Sequence, residues 1–268
     1  MTPAPFDIAA AIAQMDAVRT RQPLVQCLTN SVTVGFVANV LLAAGATPAM
    51  VDSAGESEVF AREAADAVLV NLGTPHPAQC EGIRAIGFSA PSMPPWVLDP
   101  VAVGALPVRT ELAHELVAAG PSVIRGNASE IAALAGTGTG GRGVDSVLGP
   151  DDVVDAARTL ASRTGGAVAV SGEVDLVTDG ETVVRIANGH PLFTAVTGGG
   201  CALGGVTAAY AAVAPSPLIG AAAAATVYAI AGEKAAARSA GPGSFAVELL
   251  DALHALTPAD IAQKAVIS

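Results

Sequence analysis

Residues 196–205, Val-Thr-Gly-Gly-Gly-Cys-Ala-Leu-Gly-Gly, carry the residue types best suited to chemistry in this chain. Three consecutive glycines leave their backbone amides unshielded, and the Ala-rich stretch that follows predicts a buried helix. Free N–H groups of a glycine turn and of a helix N-terminus together form an anion site. The Cys201 thiol falls in the first turn of that helix, where negative charge on a phosphoryl group would develop. The segment therefore favours phosphoryl transfer to a small hydroxyl.

The same glycine segment is also compatible with a plain tight turn. No Lys-Ser or Lys-Thr follows the glycines, so the segment is not a Walker-type phosphate loop. It also departs from the G-x-G-x-x-G pattern of dinucleotide-binding folds. Taken alone, it predicts an anion-binding turn and nothing more specific.

The composition predicts a folded protein of one domain, spanning residues 1–268. Of 268 residues, 51% are hydrophobic and 14% charged, which excludes a disordered chain. A net charge of −11 with 13 Lys and Arg argues against nucleic acid as a partner. No apolar run reaches the ~20 residues that a membrane span needs, and the N-terminus lacks the basic start of a signal peptide. We therefore expect a cytoplasmic protein without a membrane partner.

Short apolar strands alternate with longer Ala/Leu-rich helices, a pattern typical of α/β proteins with a mainly parallel sheet. The predicted strands cover residues 24–28, 48–51, 67–72, 96–98, 122–125 and 167–171, with an antiparallel hairpin at 175–177 and 182–186. The predicted helices cover residues 33–44, 56–64, 110–119, 129–134 and 151–163. From residue 201 onward the chain is predicted to be helical, with breaks at 215–217 and 241–243. Residues 137–143 are predicted to form a surface loop. The odd number of cysteines, three, supports neither a disulfide framework nor a zinc site.

Polar residues follow five of these strands. Because ligands of open α/β sheets bind beyond the carboxyl ends of the strands, we expect these residues to line one edge. They are Thr29-Asn30, Gly73-Thr74, Asp99-Pro100, Arg125-Gly126-Asn127 and Ser171-Gly172-Glu173.

Taken in order, these strand ends and their neighbours resemble the hydroxyethylthiazole kinase family. The matching motifs are residues 23–30, 45–50, 71–74, 98–101, 124–131, 143–146, 171–175, 188–190, 196–201 and 241–245. Each motif is weak, but ten in the same order over residues 20–256 are specific.

The resemblance implies a ribokinase-like three-layer αβα sandwich with a mainly parallel central sheet. It implies a homotrimer with active sites at subunit interfaces. It also implies transfer of the γ-phosphoryl group of ATP to the hydroxyl of 4-methyl-5-(2-hydroxyethyl)thiazole in thiamine salvage, with Mg²⁺ required.

The site residues are predicted by combining this resemblance with their chemistry. Cys201 is the candidate catalytic residue, acting as a base if its pKa falls at the helix N-terminus, or else through positioning. The predicted substrate-binding residues are Asn30, Met50, Thr197 and Gly198. The predicted ATP-binding residues are Arg125, Ser171, Gly199 and Gly200. The predicted Mg²⁺ site consists of Glu130, which would reach the ion directly or through water, and Asp99, which would support it without touching it.

Each role has a structural alternative. Arg125 could form a surface ion pair, Glu130 could cap a helix, and Asp99 could form a turn. Met50 could fill the core, and Cys201 could simply occupy space at a crowded helix start.

The chain also departs from the family pattern. Gln26 replaces a frequent histidine, which leaves hydrogen bonding to the substrate less certain, and Gly199 replaces Thr or Ala. Gly199 is expected to make the anion loop more mobile. Two other functions remain open: a ribokinase-like dehydratase acting on hydrated nicotinamide nucleotides, and a nucleotide sensor without catalysis.

Overall fold

Eight strands form one sheet that lies between two layers of helices in this computed structural model, which describes residues 6–88, 92–138 and 148–268. The strands are β1 (Leu24–Leu28), β2 (Thr47–Ala49), β3 (Ala67–Asn71), β4 (Trp96–Asp99), β5 (Val123–Asn127), β6 (Ala167–Ser171), β7 (Asp175–Thr178) and β8 (Val183–Ile186). The helices are α1 (Ile8–Arg21), α2 (Val34–Ala44), α3 (Ser57–Glu63), α4 (Pro77–Ile86), α5 (Pro107–Ala118), α6 (Ala128–Ala135), α7 (Val154–Thr164), α8 (Gly199–Ala211), α9 (Pro217–Ala236), α10 (Pro242–Ala255) and α11 (Pro258–Lys264). Short 3₁₀ turns cover Pro150–Val153 and Pro191–Ala195.

The strand order is β2-β1-β3-β4-β5-β6-β7-β8. The pairs from β2 to β6 are parallel, whereas β7 and β8 pair antiparallel at one edge. The interior strand β3 is buried along its whole length, as the apolar run 67–70 predicts. The predicted parallel sheet with a hairpin at its edge is therefore confirmed.

Two apolar cores cover the two faces of the sheet. Helices α1, α2, α8, α9, α10 and α11 contribute to one core, and α3 to α7 contribute to the other. Because every helix supplies an apolar stripe to one of these faces, the result is the predicted three-layer αβα sandwich.

Two helices were not anticipated, α1 and α4. Helix α1 begins where the Asp7 carboxylate accepts from the Ala10 amide, and α4 begins at an unusual cap, the His76 ring. Helix α11 lies in the stretch after residue 201 that is predicted to be helical, but the break before it is not predicted; its N-cap is Thr257, in a capping box with Asp260. The predicted helix 151–163 is instead a 3₁₀ turn followed by α7, and α5 starts three residues earlier than predicted, at Pro107.

Some predictions fall outside the described residues. The motif 143–146 lies there entirely, as does most of the predicted loop 137–143. Within the described ranges, none of the helices combines the length and the apolar character needed to cross a membrane.

Candidate active site

The polar strand ends meet at one edge of the sheet, beside the start of α8. The register places Asn71 opposite Asp99, and Asn127 opposite Ser171, on neighbouring parallel strands. Parallel strands end at the same edge, so side chains after β3, β4, β5 and β6 lie side by side there.

Arg125 connects three of these strands. Its Nη2 donates to Ser171 Oγ at 2.8 Å and its Nη1 donates to Asp99 Oδ2 at 3.4 Å. The side chain is only 11% exposed, so Arg125 forms its ion pair in the interior and not on the surface. Its Nε is buried without a partner among the described residues. The planar guanidinium is thus held with its fork at the sheet edge.

The triple glycine lies against this guanidinium. A Cβ atom on Gly200 would lie 2.9 Å from Arg125 Nη1, so a side chain there would push the guanidinium from its present position. Gly198 adopts a φ of 97°, which lets the chain turn into α8. The Gly199 amide donates weakly, at 3.4 Å, to Val196 O. The amides of Gly200 and Cys201 have no acceptor in the part of the chain that the structure describes.

Two free N–H groups therefore lie next to a guanidinium at the N-terminus of a 13-residue helix. Both groups favour a bound anion, and the helix dipole adds to them. This arrangement can bind a phosphate and stabilise charge that develops on it.

Cys201 lies half-buried among polar groups of three strand ends. The Asn30 amide lies 3.9 Å from its Sγ, and Thr33, Asn71 and Arg125 also interact with the thiol. Burial, followed by the charge of Asp99, raises the pKa of Cys201 despite these contacts. The thiol is therefore protonated at neutral pH, which favours positioning over a standing thiolate base.

Asp99 is the least satisfied group of the site. Asn71 Nδ2 donates to its Oδ2 at 2.7 Å, but its Oδ1 is buried without a partner among the described residues. Burial raises its pKa to about 7; Arg125 opposes the shift and Glu130 adds to it. A buried carboxylate oxygen with no donor is suited to a cation.

Glu130 caps helix α6. Its Oε2 accepts from the Asn127 amide at 2.9 Å and its Oε1 accepts from the Ala102 amide at 3.0 Å. Asn127 Oδ1 in turn accepts from the Glu130 amide, which completes a capping box. The capping alternative is confirmed, and each oxygen keeps a further lone pair that could face a metal ion.

Comparison with known proteins agrees with this geometry. The model of the hydroxyethylthiazole kinase family matches residues 15–259. The chain belongs to the hydroxyethylthiazole kinase family.

Its relatives cover nearly the whole chain. A hydroxyethylthiazole kinase of Clavibacter sepedonicus is 58% identical over 91% of this chain and 89% of the relative. One from Kineococcus radiotolerans is 55% identical over 96% of this chain and 93% of the relative. The solved hydroxyethylthiazole kinase protein of Pyrococcus horikoshii has a TM-score of 0.87 and 36% identity, covering 96% of this chain and 98% of that one.

The fold is also that of more distant kinases. An ADP complex of Bacillus subtilis pyridoxal kinase superposes with a TM-score of 0.59 at 15% identity, over 80% of this chain and 92% of that one. The ribokinase-like fold is thereby confirmed. As a member of the hydroxyethylthiazole kinase family, the protein is an ATP-dependent small-molecule kinase.

The predicted substrate-side residues of this kinase are only partly brought together. Asn30 lies beside Cys201, and its Oδ1 accepts from Thr74 Oγ1 at 3.3 Å and from the Val32 amide at 2.9 Å. Gly198 packs against Thr33, one of the groups around the Cys201 thiol. Thr197 is exposed. Met50 is half-buried and packs against the apolar core.

Gln26, which replaces the family's frequent histidine, has a structural role. Its Nε2 donates to Val51 O at 2.9 Å and to Ser57 O at 3.1 Å. It therefore fixes the segment that follows Met50 and makes no hydrogen bond to the candidate site residues.

Two groups of the site were missed by sequence reasoning. Asn71 was not recognised because the strand was predicted to run on through Leu72, which hid the polar residue at its end. Tyr228 reaches the site from α9, where its Oη donates to Gly199 O at 2.9 Å. No local sequence pattern indicates that contact.

Proposed function

We propose that this protein transfers the γ-phosphoryl group of ATP to the hydroxyl of 4-methyl-5-(2-hydroxyethyl)thiazole, with Mg²⁺, as a step of thiamine salvage. One observation carries the proposal: the Arg125 guanidinium lies against Gly200, next to the free amides of Gly200 and Cys201. Family membership supplies the substrate class.

In this mechanism Arg125 and the two amides hold the phosphate chain and stabilise the charge on the migrating group. Catalysis of phosphoryl transfer consists largely of positioning and electrostatic stabilisation. Because Ser171 and Asp99 hold the guanidinium, little reorganisation is needed when the charge develops. We assign the nucleotide side of the site to Arg125, Ser171, Gly199 and Gly200.

Asn30 and Cys201 would receive the acceptor alcohol. The Asn30 side chain offers both a donor and an acceptor, and it lies beside the Cys201 thiol. The protonated thiol would hydrogen-bond the hydroxyl and direct it at the phosphorus. As the new O–P bond forms and the bond from phosphorus to ADP breaks, the hydroxyl proton would pass to an oxygen of the transferred phosphoryl group. Met50, Thr197 and Gly198 complete the proposed substrate side.

Mg²⁺ suits the acidic groups of the site. The partnerless Oδ1 of Asp99 and the carboxylate of Glu130 are the hard oxygen ligands that this cation prefers. Within the described ranges, no three or more His, Cys, Asp or Glu side chains are arranged so that they could hold a metal ion by themselves. Mg²⁺ commonly uses one or two carboxylates plus substrate phosphates. When bound, the ion would neutralise charge on the phosphates.

We also propose the homotrimer with interfacial sites. An open cavity of about 420 Å³ begins at Thr74, the residue that hydrogen-bonds Asn30, and continues along Leu106–Arg109. Two apolar side chains near it are strongly exposed: Val32 by 68% and Val108 by 59%. A neighbouring subunit that covered them would also close this cavity. Dilution below the assembly constant would then abolish turnover.

A coupled ADP-release assay with a panel of small alcohols tests the function. We expect ADP release and a phosphate ester, identified by its mass, with the thiazole alcohol as the preferred acceptor. Arg125→Ala is expected to abolish turnover, whereas Arg84→Ala, in the exposed pair with Glu115, serves as the control. ATP binding without turnover of any alcohol would instead indicate a sensor, and turnover only with hydrated nicotinamide nucleotides a dehydratase.

A further inference from the structure

We infer that the Tyr228 hydroxyl is a positioning residue that orients the Gly200 amide toward the anion site. The inference rests on the proposed function for its kinetic consequence. Its structural basis is a hydrogen bond between two segments that are distant in the chain.

Tyr228 Oη donates to Gly199 O at 2.9 Å, and the tyrosine is 3% exposed. Burial raises the pKa of Tyr228, so its hydroxyl stays protonated and remains a donor at neutral pH. Gly199 is also the first residue of α8, so its carbonyl takes part in the helix ladder. The bond from Tyr228 therefore adds a second constraint on the direction of that carbonyl.

The carbonyl of Gly199 and the N–H of Gly200 belong to the same peptide unit. That unit is planar and trans, so the two groups point in opposite directions. When Tyr228 holds the carbonyl toward α9, the Gly200 N–H must point away from α9. The Arg125 guanidinium lies against Gly200, and the N–H is free to bind a phosphate oxygen beside it. One hydroxyl thus helps to hold the direction of a proposed phosphate donor that it does not touch.

Aromatic packing makes Tyr228 itself rigid. Its ring stacks on Phe193 at a centroid distance of 4.9 Å, and Phe193 meets Phe245 edge-on at 5.2 Å. Phe193 also fills the space above Gly232, where a Cβ atom would lie 2.2 Å from its ring. Only 3% of the residues in this chain are aromatic, yet three of them (Tyr228, Phe193 and Phe245) pack beside the corner formed by Gly198, Gly199 and Gly200. They counter the mobility that Gly199 would otherwise allow.

Tyr228→Phe tests the inference because it removes the hydroxyl and keeps the stacked ring. The matched control is Tyr210→Phe, which alters the only other tyrosine, buried near the far end of α8. We expect kcat of Tyr228→Phe to fall about tenfold, as when a donor is loosened but not removed. KM for the thiazole alcohol should stay within twofold, and Tyr210→Phe should keep the kcat of the wild-type protein. A purely structural role would lower the thermal midpoint and leave kcat at permissive temperature unchanged.

Amide hydrogen exchange supplies a readout without activity. The Ala202 amide donates to Gly198 O at 2.8 Å and reports opening of the corner. It should exchange about tenfold faster in Tyr228→Phe, as expected for the loss of one hydrogen bond, while the Ala212 amide at the other end of α8 should not change. Unchanged kcat together with unchanged Ala202 exchange overturns the inference. If the wild-type protein turns over no alcohol, the proposed function fails, and the exchange of Ala202 alone decides the inference.

Discussion

The raised pKa of Asp99 predicts an unusual dependence of stability on pH. In the unfolded chain an aspartate titrates near ~3.9, whereas burial raises the pKa of Asp99 in the folded protein to about 7. Between these values the folded state binds more protons than the unfolded state. Stability therefore falls as pH rises through this window, opposite to the usual case of a carboxylate stabilised by an ion pair.

The magnitude follows from linkage. Integrating the difference in bound protons from pH 5 to pH 8 yields a loss of roughly 2–3 kcal/mol from this one group. Asp99→Asn removes this titrating group. The unfolding free energy of the variant minus that of the wild-type protein should therefore rise by about 2–3 kcal/mol as pH increases from 5 to 8. Urea unfolding without divalent cations, at several pH values in between, measures the difference.

A control variant tests whether the effect is local. Asp260 pairs with Lys234 and hydrogen-bonds Thr257, and these contacts lower its pKa to about 2. Asp260→Asn should therefore shift stability by a constant amount between pH 5 and 8. Wild-type and Asp99→Asn curves that run parallel over this range would refute the reasoning. If Asp99 helps to hold Mg²⁺, millimolar Mg²⁺ should reduce the pH dependence of the wild-type protein and leave that of Asp99→Asn unchanged.

Substitutions at three positions test the roles of other site residues in steady-state kinetics. Cys201→Ala should lower kcat at least about tenfold. Cys201→Asp should retain or raise kcat, because a carboxylate accepts a proton at neutral pH more readily than this thiol. An alanine variant with unchanged kcat would show that the thiol only fills space. Arg125→Lys should lower kcat/KM for ATP about 10- to 100-fold, since a single ammonium group cannot replace the forked hydrogen bonds to Ser171 and Asp99. An effect no larger than that of Arg84→Lys would contradict this prediction. Gly73→Ala would place a Cβ atom against Asn30 Nδ2 and displace that side chain. It should raise KM for the thiazole alcohol about fivefold, the value of one hydrogen bond, and leave KM for ATP unchanged. Gly243→Ala is the control, because position 243 has open space around it.

Much of the sheet is predictable from the sequence because its strands are short, apolar and bounded by polar or glycine residues. Strands β1 and β6 begin and end where the pattern predicts. Helices with weaker signals were missed: α4 starts at a histidine cap, and α1 combines many alanines with polar residues. The capping box before α11 was a readable signal that used aspartate in place of the commoner glutamate.

The candidate site was predictable where it depends on strand ends, and not where it depends on tertiary burial. The rule that ligands bind beyond the carboxyl ends of strands brings Arg125, Asp99 and Ser171 together correctly. The pKa of Cys201 depends on what covers the thiol, and its place at a helix N-terminus does not reveal that burial. The bond from Tyr228 to Gly199 joins residues whose contact appears only once α8 and α9 are packed.

The close fit between Gly200 and Arg125 has an evolutionary consequence. Any side chain at position 200 would occupy the volume that the guanidinium already fills. A larger residue at position 200 would displace the guanidinium from Asp99 and Ser171. Substitutions at positions 125 and 200 are therefore expected to be coupled during evolution.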